Sequence, residues 1–88
     1  MFALMRSVTV YTTDPCARCG KAKALLTARG ISYEEVNLAK DPDGRAQLAD
    51  RTGLMTFPQI MVGDESLGGL DDLEAADATG RLTALLVA

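Results

Sequence analysis

The chain has 88 residues, 48% hydrophobic but only 5% aromatic, and a formal net charge of −3. That length supports one domain (residues 1–88) around one core, which must be built from Leu, Val, Ile, Met and Ala. An acidic balance with no basic tail excludes a typical nucleic-acid binder, and no apolar run approaches the ~20 residues of a membrane span. The opening MFALMRS is too short for a secretory signal and lacks its charged-then-apolar order. A soluble cytoplasmic monomer is expected, with neither nucleic acid nor membrane as partner.

In chain order, Val8-Thr9-Val10-Tyr11 is β-branched and aromatic and reads as a buried strand. Thr12 to Pro15 forms a loop. Residues 16–29 read as a helix, with Ala22, Leu25, Leu26 and Arg29 at helical spacing, Cys19 leading the same face and Gly30 as C-cap. Gly20 weakens that helix by roughly 1 kcal/mol relative to alanine, and nothing local in the sequence explains it. Residues 31–38 give a second strand, with Ile31, Tyr33, Val36 and Leu38 inward. Asp41 as N-cap and Pro42 at the first helical position open a second helix, carrying Ala46, Leu48 and Ala49 and ending near Gly53. Residues 57–62 form a third strand, Gly63-Asp64 a tight turn, and residues 65–67 a fourth strand paired to it. Asp71 with Glu74 three residues on gives a capping-box-like helix start. That helix ends near Gly80, and a last helical turn or two covers residues 82–87.

A βαβ unit has parallel strands with a right-handed crossover, whereas a two-residue turn makes its strands antiparallel. The order β-α-β-α-β-β-α therefore predicts an α/β fold, a four-stranded mixed sheet flanked by helices on both faces. Cys16 falls where the carboxyl end of the first strand meets a helix N-terminus, the usual functional edge of an open α/β sheet.

Cys16 and Cys19 are the only cysteines, and histidine is absent. A structural disulfide stabilises chiefly by closing a long loop, and this one would enclose two residues. A zinc site generally needs four Cys or His ligands, so two thiols are a weak candidate and no metal is expected. A redox pair remains. Exchange needs a thiolate, and the unpaired N–H groups and dipole of a helix N-terminus favour that anion, lowering cysteine pKa values to about 3.5–7.5. Cys16 at the helix start is thus the attacking thiol, and Cys19, one turn in and inward-facing, resolves the mixed disulfide. Arg18, Lys21, Lys23 and Arg29 lie on the same helix with no acid among them. Arg18 and Lys21 are near enough to support the thiolate or simply to be solvated, and Asp14 opposes them.

With these residues in place, the sequence resembles the glutaredoxins, of the thioredoxin-like fold. The match runs from Val8 to about Leu85: V-x-V-Y-T, then C-x-x-C-x-x-A-K-A-L-L (residues 16–26), T-F-P-Q-I (56–60) and L-G-G-L-D-D-L (67–73). The resemblance implies glutathione as co-substrate and a cis bond before Pro58, which read alone is an ordinary strand-start proline. It implies that the Phe57 backbone pairs with the cysteinyl part of glutathione and that Thr56 lines the same groove. Gly68 and Gly69 would admit the ligand to the backbone, and the N–H groups of Leu70 and Asp71 would hold the γ-glutamyl carboxylate. Asp72 would accept from its ammonium group. Arg45 matches a position that reaches the glycyl carboxylate; a solvated helix cation fits it equally. Three departures stand out: Ala17 and Arg18 replace the common Pro and Tyr, Thr13 replaces a frequent lysine, and Phe57 replaces a smaller aliphatic residue. Arg18, longer and planar, is positioned to compensate for the missing lysine.

The leading expectation is an enzyme that reduces protein disulfides or glutathione mixed disulfides, its partners being a low-molecular-weight thiol and disulfide-containing proteins. Two alternatives stay open: an electron donor to ribonucleotide reductase that is itself reduced by thioredoxin reductase, and a dimeric carrier of a [2Fe–2S] cluster.

Overall fold

A computed structural model describes residues 6–87; the first five residues of the MFALMRS segment and Ala88 lie outside the described residues. The element order is β1 (Val8–Thr12), α1 (Ala17–Ala28), β2 (Glu34–Asn37), α2 (Pro42–Thr52), β3 (Gln59–Val62), β4 (Glu65–Gly68), α3 (Leu70–Thr79) and α4 (Arg81–Val87). The four strands form one sheet in the order β2-β1-β3-β4, with β1 parallel to β2 and antiparallel to β3, and β3 antiparallel to β4. This is the expected four-stranded mixed sheet. Among the described residues no helix is long and apolar enough to cross a membrane.

Strand alternation sorts the sheet into two faces. Val8 and Val10 stand opposite Val62 and Ile60 and join Ala22, Leu26, Leu70, Leu73, Ala76, Leu82 and Leu86 in the main core. Thr9 and Tyr11 stand opposite Met61 and Gln59 on the other face. There the buried Gln59 accepts from the Thr52 hydroxyl at 2.9 Å and donates to the Leu54 carbonyl at 3.0 Å, anchoring the carboxyl end of α2. Helices therefore cover both faces, with α1, α3 and α4 on one and α2 on the other.

Several boundaries differ from those expected, each for a local reason. Helix α1 has Arg29 as its C-cap, and Gly30 follows it at φ 69°. The N–H groups of Gly30 and Ile31 donate to the carbonyls of Thr27 and Leu26, a Schellman closure. With its N–H spent there, Ile31 cannot begin a ladder, so β2 starts at Glu34; Ile31 and Tyr33 still pack against the core as side chains. Strand β3 starts at Gln59 because Pro58 has no N–H to contribute. Helix α3 is capped by Gly69, two residues before the expected Asp71. Asp72, at the third helical position, accepts from the Gly69 N–H at 3.0 Å. This is the half of a capping box that a glycine cap allows, and Glu74 takes no part in it. Helix α2 has its expected Asp41 cap, whose carboxylate accepts from the Gly44 N–H at 2.9 Å.

Candidate active site

Topology gathers the site. Because β3 runs antiparallel to β1 and β4 antiparallel to β3, the end of β1, the start of β3 and the end of β4 share one sheet edge. Onto that edge the chain delivers Cys16, Pro58 and the Gly68–Leu70 turn. Extending the Tyr11–Gln59 register by one step puts Pro58 opposite Thr12, four residues before Cys16. The Phe57–Pro58 bond is cis, as the resemblance implies; Asp14–Pro15 is also cis, which the sequence did not single out.

Cys16 is the N-cap of α1 in an extended backbone conformation, and its Sγ accepts from the Cys19 N–H at 3.0 Å. The pair is oxidised, as a Cys16–Cys19 disulfide with Cα atoms 5.3 Å apart. Accessibility separates the two sulfur-bearing residues: Cys16 is half-buried, whereas Cys19 is 2% exposed. No acidic residue occupies the first turn of α1. Asp14, the nearest acid before Cys16, instead accepts from the Asn37 side chain at 2.9 Å.

The remaining expected residues fall into two groups. Pro58 is buried, Phe57 half-buried and Thr56 exposed, in a continuous segment leading into β3. A side chain at Gly69 would touch the Pro58 carbonyl at 3.5 Å, so the start of α3 abuts that segment. Gly68 adopts φ 117°, a conformation that glycine alone takes readily. Leu70 and Asp71 occupy the first two positions of α3, where N–H groups have no intrahelical acceptor. Arg18 is drawn here too: its Nη2 donates to Asp71 Oδ1 at 2.9 Å. In this ligand-free form Arg18 is thereby paired at the start of α3. Arg45 stands apart. Its Nη1 donates to the carbonyls of Leu38 and Ala39, the latter at 3.0 Å, and it lines a cavity of about 270 Å³ with Leu54, Met55 and Phe57. A larger groove, about 610 Å³, lies at the amino end of β1, the edge opposite the disulfide, and so has no part in the site.

Sequence reasoning missed a polar network joining β1, β2 and α1. Thr12, 1% exposed, donates to Glu35 Oε2 at 2.8 Å, and Lys23 donates to both Glu35 oxygens at 3.1 and 3.2 Å. These bonds, from Thr12 first and then Lys23, hold the Glu35 carboxyl below its ordinary range. The signal was available: Thr12 is in phase with Val8 and Val10, so its hydroxyl must enter the core and needs an acceptor. Among the described residues no group of three or more His, Cys, Asp or Glu is placed to hold a metal ion.

Residues 8–67 match the family model for glutaredoxin. A glutaredoxin of Pseudomonas aeruginosa is 43% identical over 84 residues, covering 96% of this chain and all of the relative. The chain belongs to the glutaredoxin family. Glutaredoxin 3 of Escherichia coli is 40% identical over 82 residues, 93% of this chain and 99% of that one. In structure, the Brucella melitensis glutaredoxin matches with a TM-score of 0.84 at 40% identity, covering 96% of this chain and 91% of that one. A buckwheat glutaredoxin in complex with glutathione matches with a TM-score of 0.83 at 27% identity, covering 92% and 76%. This glutaredoxin is a dithiol thiol–disulfide oxidoreductase with the thioredoxin-like fold, and Cys16–Cys19 is its redox-active C-x-x-C pair.

Proposed function

We propose that this glutaredoxin reduces protein disulfides and glutathione mixed disulfides with Cys16 as nucleophile and glutathione as the reducing co-substrate. The observation that carries the assignment is the contrast within the pair: Cys16 caps α1 and is accessible, while Cys19 is 2% exposed. In the reduced protein the Cys16 thiolate attacks one sulfur of a substrate disulfide, and the other sulfur leaves as a thiolate and is protonated. Cys19, deprotonated, then attacks Cys16 Sγ, releasing the second substrate sulfur and closing the disulfide. A glutathione thiolate reopens that disulfide at the accessible Cys16, Cys19 departs and takes a proton, and a second glutathione restores Cys16 as glutathione disulfide leaves. Two electrons pass from two glutathiones to one substrate disulfide.

For the co-substrate, the buckwheat relative's complex with glutathione supports that ligand, and its cysteinyl part is assigned to a groove along Thr56, Phe57 and Pro58, with the Phe57 backbone pairing to it. The γ-glutamyl carboxylate is assigned to the Leu70 and Asp71 N–H groups past the Gly68-Gly69 turn. Its ammonium group is assigned to Asp72, whose Oδ2 holds the cap and whose other oxygen remains an acceptor. Arg45, with donors beyond the Nη1 already engaged, is assigned to the glycyl carboxylate. A compartment that keeps glutathione reduced suits this cycle, hence the cytoplasm, and each step needs only one copy of the chain. The test is reduction of a glutathionylated peptide with either glutathione or thioredoxin reductase as electron source. Turnover is expected with glutathione; turnover with thioredoxin reductase alone would replace this reading with a reductase-fed donor.

A further inference from the structure

Arg18 and Asp71 each occupy the second position of a helix, α1 and α3, and their 2.9 Å ion pair ties the two helix starts together across the active-site edge. The pair is exposed, 55% for the Arg18 side chain and 84% for Asp71, and such pairs add little to stability. A cation at the positive end of a helix dipole is also unfavourably placed, so Arg18 is poorly explained as a stabilising residue. It differs in this from Asp72, which completes the cap of α3 through the Gly69 N–H.

We propose that Arg18 is a specificity-determining residue of the reaction: it releases Asp71 and takes the α-carboxylate of the γ-glutamyl group. This rests on the glutathione reading above. The exchange conserves charge pairing. An α-amino-acid end is a zwitterion, and when it enters, its carboxylate meets Arg18 and the N–H groups at the start of α3. Its ammonium, with three donors, meets Asp71, the carboxylate that Arg18 has vacated, as well as the free oxygen of Asp72. The ion pair in the ligand-free protein is thus a mutually neutralising form of the two partners that a free α-amino acid needs. A thiol lacking the α-carboxylate cannot draw Arg18 away.

The test uses three thiols: glutathione, γ-aminobutyryl-cysteinyl-glycine, which lacks only the α-carboxylate, and glutaryl-cysteinyl-glycine, which lacks only the α-amino group. Stopped flow measures the rate at which each opens the Cys16–Cys19 disulfide in the wild type and in Arg18→Gln. Taking the ratio of rates within each protein cancels any change in the reactivity of the disulfide itself. Arg18→Gln is expected to cut the preference for glutathione over the carboxylate-lacking thiol by about threefold to tenfold, the range for a partly exposed charge-assisted hydrogen bond. Its preference over the amino-lacking thiol is expected to be undiminished. An unchanged preference over the carboxylate-lacking thiol, or an equal loss of both preferences, would overturn the role of Arg18 and leave the glutathione reading standing. A wild type that does not distinguish the three thiols would overturn both.

Discussion

Cys16 and Cys19 share a helix turn and a disulfide but not an environment, and the proposed chemistry follows from that difference. Iodoacetamide labelling of the reduced protein near neutral pH is expected to modify Cys16 well before Cys19; faster labelling of Cys19 would reverse their roles. Asp72 serves two functions that separate by substitution. Asp72→Asn keeps an oxygen that can accept from the Gly69 N–H but loses the charge, so the concentration of glutathione required for half-maximal turnover is expected to rise severalfold with little loss of stability. Asp72→Ala removes the cap contact as well and is expected to cost about 0.5–1 kcal/mol in urea denaturation in addition. Equal glutathione dependence of Asp72→Asn and wild type would remove Asp72 from the binding site. At this scale the cysteines were legible because few other uses suit a C-x-x-C at a helix start. The partners of Arg18 and Arg45 were not, since a long cation reaches several acceptors and sequence spacing does not choose among them.

Elements announced themselves where a cap or turn residue fixed the backbone, as with Asp41-Pro42 before α2 and Gly63-Asp64 between β3 and β4. They were misjudged where two elements compete for one backbone group. Ile31 gives its N–H to the closure of α1 rather than to β2, and Gly69 rather than an aspartate caps α3. Gly20 remains a cost without a visible return: it lies within α1, is exposed, and an added methyl group there would meet no heavy atom within 4 Å. Gly20→Ala is therefore expected to stabilise the protein by about 0.5–1 kcal/mol. A lowered urea midpoint would contradict that expectation.

Over the whole molecule, the sheet order was legible because connection rules leave few topologies for this element order, and that order alone brings three distant segments to one edge. The ties between layers were not legible, because they depend on side-chain reach. Thr12, Glu35 and Lys23 link β1, β2 and α1, and Arg29 binds Asp77 through two bonds of 2.8 and 2.9 Å, linking α1 to α3. Both acids are held below their ordinary values of 4.5 and 3.8 by these partners. Depressed folded-state values mean stabilisation that is complete above those ordinary values and lost as pH falls through the lower, folded-state ones. Stability measured from pH 6 downward is therefore expected to decline below about pH 4.5. Glu35→Gln is expected to flatten part of that decline, by under about 1 kcal/mol given its partial exposure; an unaltered slope would show that the network does not couple to folding. The claim that joins all three scales is that Cys16 exchanges with glutathione at this sheet edge. Its most direct measurement is mass spectrometry of Cys19→Ser after incubation with a glutathionylated peptide. The account predicts one glutathione disulfide-bonded to Cys16 and the peptide released as a free thiol. No adduct, or the peptide itself joined to Cys16 with glutathione released, would contradict it.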